Sequence, residues 1–265
     1  MTARAFITSV RTAAAQQGHS SVAGLAAALI PALVCLLGLF VFHGPITQPV
    51  GYHHFVDGRA YLGLPNGWNV LSNLPFAVVG GLGLCWLAGP QQSLTRALRW
   101  CYLAMFFGIG TTAAGSIHYH WAPTDQTLVW DRFPMAIGFM GLFAGLLTER
   151  LRLPPRTSGW LLAGLLGFGA FSVTYWHISG DLRLYVLVQF YPLMAIPALL
   201  WLTPAPYTRE RDWLIALALY ASSKLFEYLD VGIFGAGNLV SGHSLKHFAA
   251  ALAACWLLSM LQKRD

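Results

Sequence analysis

Eight apolar runs constrain this chain more than any other feature. They fall at about 22–42, 68–88, 98–120, 126–147, 159–175, 184–202, 213–229 and 242–261. Each is close to the roughly 20 residues that a helix needs to cross a bilayer. The bilayer core offers no hydrogen-bond partner to a peptide group. Each run must therefore satisfy its own amides as a helix or join a closed barrel. The alternation of lipid-facing and inward residues that marks barrel strands is missing. Charged residues make up only 10% of the chain, against about 25% in soluble domains. The expected fold class is therefore an all-α integral membrane protein. The first run exceeds the roughly 7–15 apolar residues of a signal-peptide core, and no small-x-small cleavage site follows it, so it reads as an anchor. Residues 1–45 form an N-terminal segment with one additional transmembrane helix, and residues 46–265 a seven-transmembrane-helix bundle. The four cysteines, Cys35, Cys85, Cys101 and Cys255, all lie in apolar runs. They read as small buried side chains and suggest neither a disulfide framework nor a thiolate metal site.

The formal net charge of +6 does not call for nucleic acid. With eight spans, both termini share one side. That side takes eleven of the sixteen lysines and arginines, which predicts cytoplasmic termini. The arginines at the cytoplasmic helix ends read mostly as ordinary topological charges. The opposite ends gather Asn69, Ser72, Asn73, Ser116, His118, His120, Asp131, Arg132, Lys224, Glu227, Asp230, His243, Lys246 and His247. A polar cavity entered from one face would leave this pattern.

Within that collection, His243 and His247 are four residues apart and share one helical face. Ionisable groups in a membrane are costly and mark functional sites. Two imidazoles on one face suit a metal. Three neutral imidazoles with the fourth position open form a catalytic type of zinc site. His118 and His120 compete for the third place. Being two apart on a helix, only one of them can point at the metal. Ser116 shares a face with His120. Asp131 is placed to act as a general base on the zinc water, and Ser116 to donate to a developing oxyanion.

The block Gly115-Ser116-Ile117-His118-Tyr119-His120, followed by Leu128-Val129-Trp130-Asp131-Arg132-Phe133-Pro134-Met135, resembles the second-to-third helix region of the alkaline ceramidases. Trp68-Asn69-Val70-Leu71-Ser72-Asn73 resembles that family's first-helix motif, and His243-x-x-x-His247 its last-helix motif. The ordered set, from about residue 57 to the end, carries the resemblance; no single motif does. It implies a seven-helix, zinc-dependent membrane hydrolase of the alkaline ceramidase type, in the superfamily that holds the adiponectin receptors. Its spacing selects Ser116, His120 and Asp131, and so prefers His120 over His118. The implied substrate is a ceramide-like membrane lipid, cleaved at its N-acyl bond to a fatty acid and a long-chain amino base. The chain departs from the family in its extra anchor. It departs again in the acidic ligands that hold calcium in eukaryotic members. Asp57 matches one, but Asn66, Gly58, Ala60 and Leu62 occupy the neighbourhood, and calcium takes about six to eight oxygens. A strong Ca2+ site is not expected, and Asp57 reads as the partner of Arg59.

Other polar residues have plainer readings. His118 reads as a residue that packs or supports the ligands from outside, and His53, His54 and His177 as solvated loop or interface residues. Asn69 and Asn73 suit inter-helix hydrogen bonds, and Lys224, Glu227 and Asp230 a satisfied charge cluster. Lys246 is expected to face away from the ligands toward a lipid headgroup. The alternative function is a non-catalytic metal-binding receptor or transporter built on the same histidines. A transporter should show polar groups along the whole path, and the cytoplasmic halves of the spans are nearly free of them. A haem carrier needs paired ligands on facing helices. The short loops suit a bacterial inner membrane, with the zinc site toward the periplasm. The lipid bilayer and its lipid substrate are the expected partners.

Overall fold

The computed structural model describes residues 24, 28, 30–90 and 94–265. The described residues are helical, with no strand among them; the nearest thing to a sheet is one antiparallel bridge between Tyr61 and Leu64. The helices are α1 (Ile30–Phe42), α2 (Gly67–Leu71), α3 (Leu74–Ala88), α4 (Arg96–Trp121), α5 (Asp125–Arg150), α6 (Pro155–Ser179), α7 (Arg183–Leu202), α8 (Arg211–Tyr228), α9 (Asp230–Gly237) and α10 (Gly242–Lys263). Part of the predicted first span lies outside the described residues. Its described part, α1, is too short to cross a bilayer alone and opens into wider turns over Gly38–Phe42.

Five helical stretches are long and apolar enough to cross a membrane: Gly67–Ala88, Arg96–Trp121, Pro155–Ser179, Arg183–Leu202 and Gly242–Lys263. This is the make-up of a multi-pass integral membrane protein. Helices α5 and α8 also occupy predicted spans but carry more charge. Helix α5 holds Asp131 and Arg132 near one end and Glu149 and Arg150 at the other. It packs against α4, α6 and α7. A helix covered on several sides by other helices can hold charge that a lipid-facing helix cannot. Helix α8 packs on α10 and α7.

Local chemistry sets the helix ends. Thr95 caps α4 by accepting from the Leu98 amide. Thr124 and Thr127 form a reciprocal capping box on α5. Ser241 caps α10 by accepting from the Ser244 amide at 3.1 Å. Helices α4 and α5 approach so closely that a Cβ on Gly108 would strike the Gly138 backbone, and one on Gly115 the Trp130 carbonyl. Such small-residue contacts let helix backbones meet where lipid supplies no hydrophobic drive.

The end remote from the histidines corrects the sequence reading. Glu149 and Arg264 are buried there and pair at 2.6 Å, with the Tyr102 hydroxyl donating to Glu149 at 3.1 Å. Arg150 is buried against Glu210 at 2.9 Å. These arginines are not merely topological. Each meets an acid contributed by another helix end, a pairing that sequence separation conceals.

Candidate metal centre

Two helices bring the centre together. His120 stands in the last turn of α4, and His243 and His247 in the first two turns of α10. One ligand nitrogen from each of the three lies within 4.8 Å of the others. Nε2 of His243 and Nε2 of His120 are 3.5 Å apart. Two nitrogens bound tetrahedrally at 2.0–2.1 Å would be about 3.4 Å apart, so this pair already stands at metal-ligand spacing. Two imidazole nitrogens turned toward each other without a carboxylate between them also suit a shared cation. His118 is exposed and takes no part.

The surrounding residues fix the imidazoles. Ser72 Oγ lies 2.7 Å from His247 Nδ1. The arrangement that frees Nε2 puts the ring proton on Nδ1, donating to Ser72 Oγ. The serine hydroxyl then donates to the Asn69 carbonyl, 3.3 Å away. Such outer hydrogen bonds fix tautomer and ring orientation. Ser72 can reach His247 because the helix breaks at Ser72-Asn73, between α2 and α3. The Asn69 side chain accepts from Ser244 Oγ at 2.8 Å, which ties α2 to α10 as expected of an inter-helix contact. The Asp230 carboxylate accepts from the His243 amide at 2.8 Å and sets the start of α10. The Phe55 ring covers the cluster, with centroids 4.7 Å from His120 and 5.1 Å from His243.

The loop that carries Phe55 is pinned at several points. Arg59 grips Asp57 with two hydrogen bonds, at 2.7 and 2.8 Å, and also donates to the Asn238 and Leu239 carbonyls. That grip holds the Asp57 carboxyl below the usual carboxylate range. His53, a loop residue, is half-buried between Tyr119 Oη, at 3.1 Å, and Asp125, at 3.2 Å. Asp181 accepts from the Ile46 amide at 3.2 Å and ties the start of the loop to the α6–α7 turn. Burial would raise the Asp181 carboxyl, but hydrogen bonds from Arg183, Ile46 and Tyr175 outweigh it and bring it down to about 2.

His247 faces a cavity of about 370 Å3 that Ser116 and Asp131 also line. The lining repeats one offset on four helices. Ser116 and Met105 on α4, Asp131 and Leu142 on α5, Lys224 and Trp213 on α8, and Lys246 and Leu257 on α10 are each eleven residues apart. At about 1.5 Å per residue, the cavity runs about 16 Å from a polar mouth to an apolar floor. Asn73 lines the mouth. Its Nδ2 donates to the Asn69 carbonyl at 2.7 Å, which leaves its buried Oδ1 without a partner.

All five residues singled out from the sequence therefore meet at one place: His120, His243 and His247 as a cluster, Ser116 and Asp131 on the cavity they share with His247. Lys246 is a correction. It turns into the cavity and pairs with Glu227 at 2.5 Å instead of facing away. It is three residues after His243, and residues three apart on a helix are neighbours. Glu227 also takes Lys224 at 2.9 Å, so the expected charge cluster exists, joined by Lys246 while Asp230 caps α10. The sequence gives no role to Phe55, to Arg132 or, as an orienting group, to Ser72. Ser72 lay inside a quoted motif; Phe55 carried no signal at all. No protein-family model and no curated protein matches the chain.

Proposed function

We propose that the protein is a zinc-dependent membrane amidase of the alkaline ceramidase type. It would cleave the N-acyl bond of a ceramide-like lipid to a fatty acid and an amino base. In this reading α2 with α3, α4, α5, α6, α7, α8 and α10 form the seven-helix bundle, α1 belongs to the additional anchor, both termini face the cytoplasm, and the histidines lie toward the periplasmic side of a bacterial inner membrane. The observation that carries the reading is the joint position of the histidine cluster, Ser116 and Asp131 at the head of an apolar cavity.

The donor set fits the metal. Three neutral imidazoles suit zinc, copper, iron or nickel, and an open three-histidine set is the catalytic zinc arrangement. When bound, zinc supplies Lewis acidity and brings the pKa of water at the centre near neutrality. The protein's residues do the rest. Asp131 takes the proton of the attacking water. Ser116 donates to the carbonyl oxygen as negative charge develops on it. Asn73 Oδ1 accepts from the scissile N–H and orients the amide. Asp131 then passes its proton to the leaving nitrogen as the C–N bond breaks. Amide plus water becomes carboxylate plus ammonium, the second proton of the water moving from the new acid to the amine, with atoms and charge balanced. The acyl chain lies along the cavity. An extended chain advances about 1.2 Å per bond, since three bonds span 3.3–3.6 Å, so the cavity takes about 13 bonds.

The test is metal analysis of purified protein followed by incubation with N-acyl lipids. Wild type should hold zinc and release fatty acid, and Asp131→Asn should keep its zinc while losing the activity. A zinc-loaded wild type that hydrolyses no N-acyl lipid would overturn the proposal.

A further inference from the structure

The cavity holds more positive than negative charge. Arg132, Lys224 and Lys246 line it against Asp131 and Glu227. Glu227 takes both lysines, Lys224 at 2.9 Å and Lys246 at 2.5 Å. Arg132 forms no salt bridge among the described residues. It is 5% exposed, and its Nη1 is buried without a hydrogen-bond partner. Its Nη2 donates to Gln48 Oε1 at 2.6 Å. Its guanidinium lies over Trp176 at 4.0 Å, with Tyr185 at 5.0 Å and Tyr52 at 5.6 Å. The other acids of this end are committed elsewhere. Asp57 holds Arg59, Asp181 holds Arg183, Asp125 meets His53, and Asp230 takes the His243 amide.

Three cations against two acids leave one positive charge in excess, before any metal is counted. Unpaired charge within a membrane protein is costly, and a buried ion is normally met by a partner. Here aromatic rings line the guanidinium and its Nη1 is left without a partner. That planar fork matches a carboxylate or a phosphate. Arg132 lines the same cavity as Asp131, so a group bound there shares that cavity with the scissile amide. The acyl chain fills the apolar end, so the group belongs to the amine half of the lipid.

We infer that the preferred substrate carries an acidic group on its amine half, and that Arg132 binds that group. This narrows the ceramide-like class of the amidase reading to N-acyl lipids with an acidic headgroup, an N-acyl amino acid or an N-acyl amino phosphate lipid, in preference to the neutral N-acyl amino alcohol. This rests on the amidase reading above. A neutral headgroup would leave the excess charge and the free guanidinium nitrogen unmet.

The test uses purified, zinc-loaded full-length protein and two matched pairs. One is N-lauroylglycine with its methyl ester; the other is N-lauroyl phosphoethanolamine with N-lauroyl ethanolamine. The acidic member of at least one pair should be favoured by about tenfold or more in kcat/KM, the worth of one charged hydrogen bond. Which pair shows it distinguishes carboxylate from phosphate. Arg132→Gln should raise KM for the acidic lipid and leave the neutral one unchanged. Equal rates within both wild-type pairs would overturn the inference, as would an Arg132→Gln loss shared by acidic and neutral members, which is what a purely structural role gives. If Arg132→Gln does not fold, the wild-type pairs alone decide. Ligand-induced thermal shifts with the same four lipids separate this inference from the reading beneath it. Preference for the acidic lipids without turnover sinks the amidase and keeps the anion site; turnover without preference does the reverse.

Discussion

Replacing Ser72 by alanine removes one atom that touches no substrate, yet it should loosen the metal. Ser72 is fully buried, and its Oγ is the acceptor at 2.7 Å that keeps the His247 ring proton on Nδ1. Without it, a buried N–H has no partner, at a cost of about 1–3 kcal/mol. The ring escapes that cost by turning or by shifting its proton to Nε2, and either move withdraws the lone pair from the cluster. Loss of such an outer partner typically weakens metal affinity 10–100-fold, about 1.4–2.7 kcal/mol. The two estimates agree. The assay is competition for zinc between the purified protein and a chelator of known affinity. Ser172→Ala serves as the control, because Ser172 is equally buried on α6 and bonds only the Gly169 carbonyl. If Ser72→Ala held zinc as tightly as wild type, or if Ser172→Ala lost as much, the tautomer argument would be refuted.

Three further outcomes are expected. His120→Ala should lose most of its bound metal while His118→Ala keeps it, read by metal content per chain; the opposite ranking would exchange the two histidines. Trp213 forms the floor of the cavity, so a smaller residue should move the preferred acyl length upward in a competition among N-acyl lipids of graded length. Trp→Ala in a packed core costs about 3–5 kcal/mol, so Trp213→Leu is the working variant, and an unchanged length profile would count against the channel. The depressed Asp181 carboxyl stabilises the folded state fully above about pH 4, its unfolded value, and that contribution disappears as pH falls through about 2. The melting temperature of wild type should therefore exceed that of Asp181→Asn near neutrality, with the difference closing over that interval; a gap independent of pH would mean the carboxylate charge is not what holds the Ile46 loop.

Much of the helical layout was legible because span length and apolarity are properties of contiguous sequence. Helices α4, α5, α7 and α10 lie within a few residues of the runs read from composition. The break at Ser72-Asn73 was not legible, because an apolar count is blind to one turn of irregular backbone. Helix α9 falls between two of the apolar runs; its eight residues include three glycines, poor helix formers. At the site, i, i+4 spacing announced His243 and His247, and helical facing narrowed the third ligand to two candidates. Contacts across long separations stayed hidden. Phe55 meets His120 and His243 from a loop, Arg132 meets Trp176 across two helices, and Glu149 meets Arg264 across 115 positions. None of these has a local periodicity to betray it.

The glycine contacts between α4 and α5 decide what kind of precision the site possesses. At Gly108 and Gly115 the two main chains touch with no side chain between them. Side chains can change rotamer to absorb a disturbance, but peptide groups in a helix cannot. The spacing between Ser116 on one helix and Asp131 on the other is thus an attribute of two backbones in register. Mutational drift can rework the lipid-facing surfaces of both helices freely. The inner seam admits almost no change, since even a methyl group there would move the hydroxyl and the acid apart without altering either one.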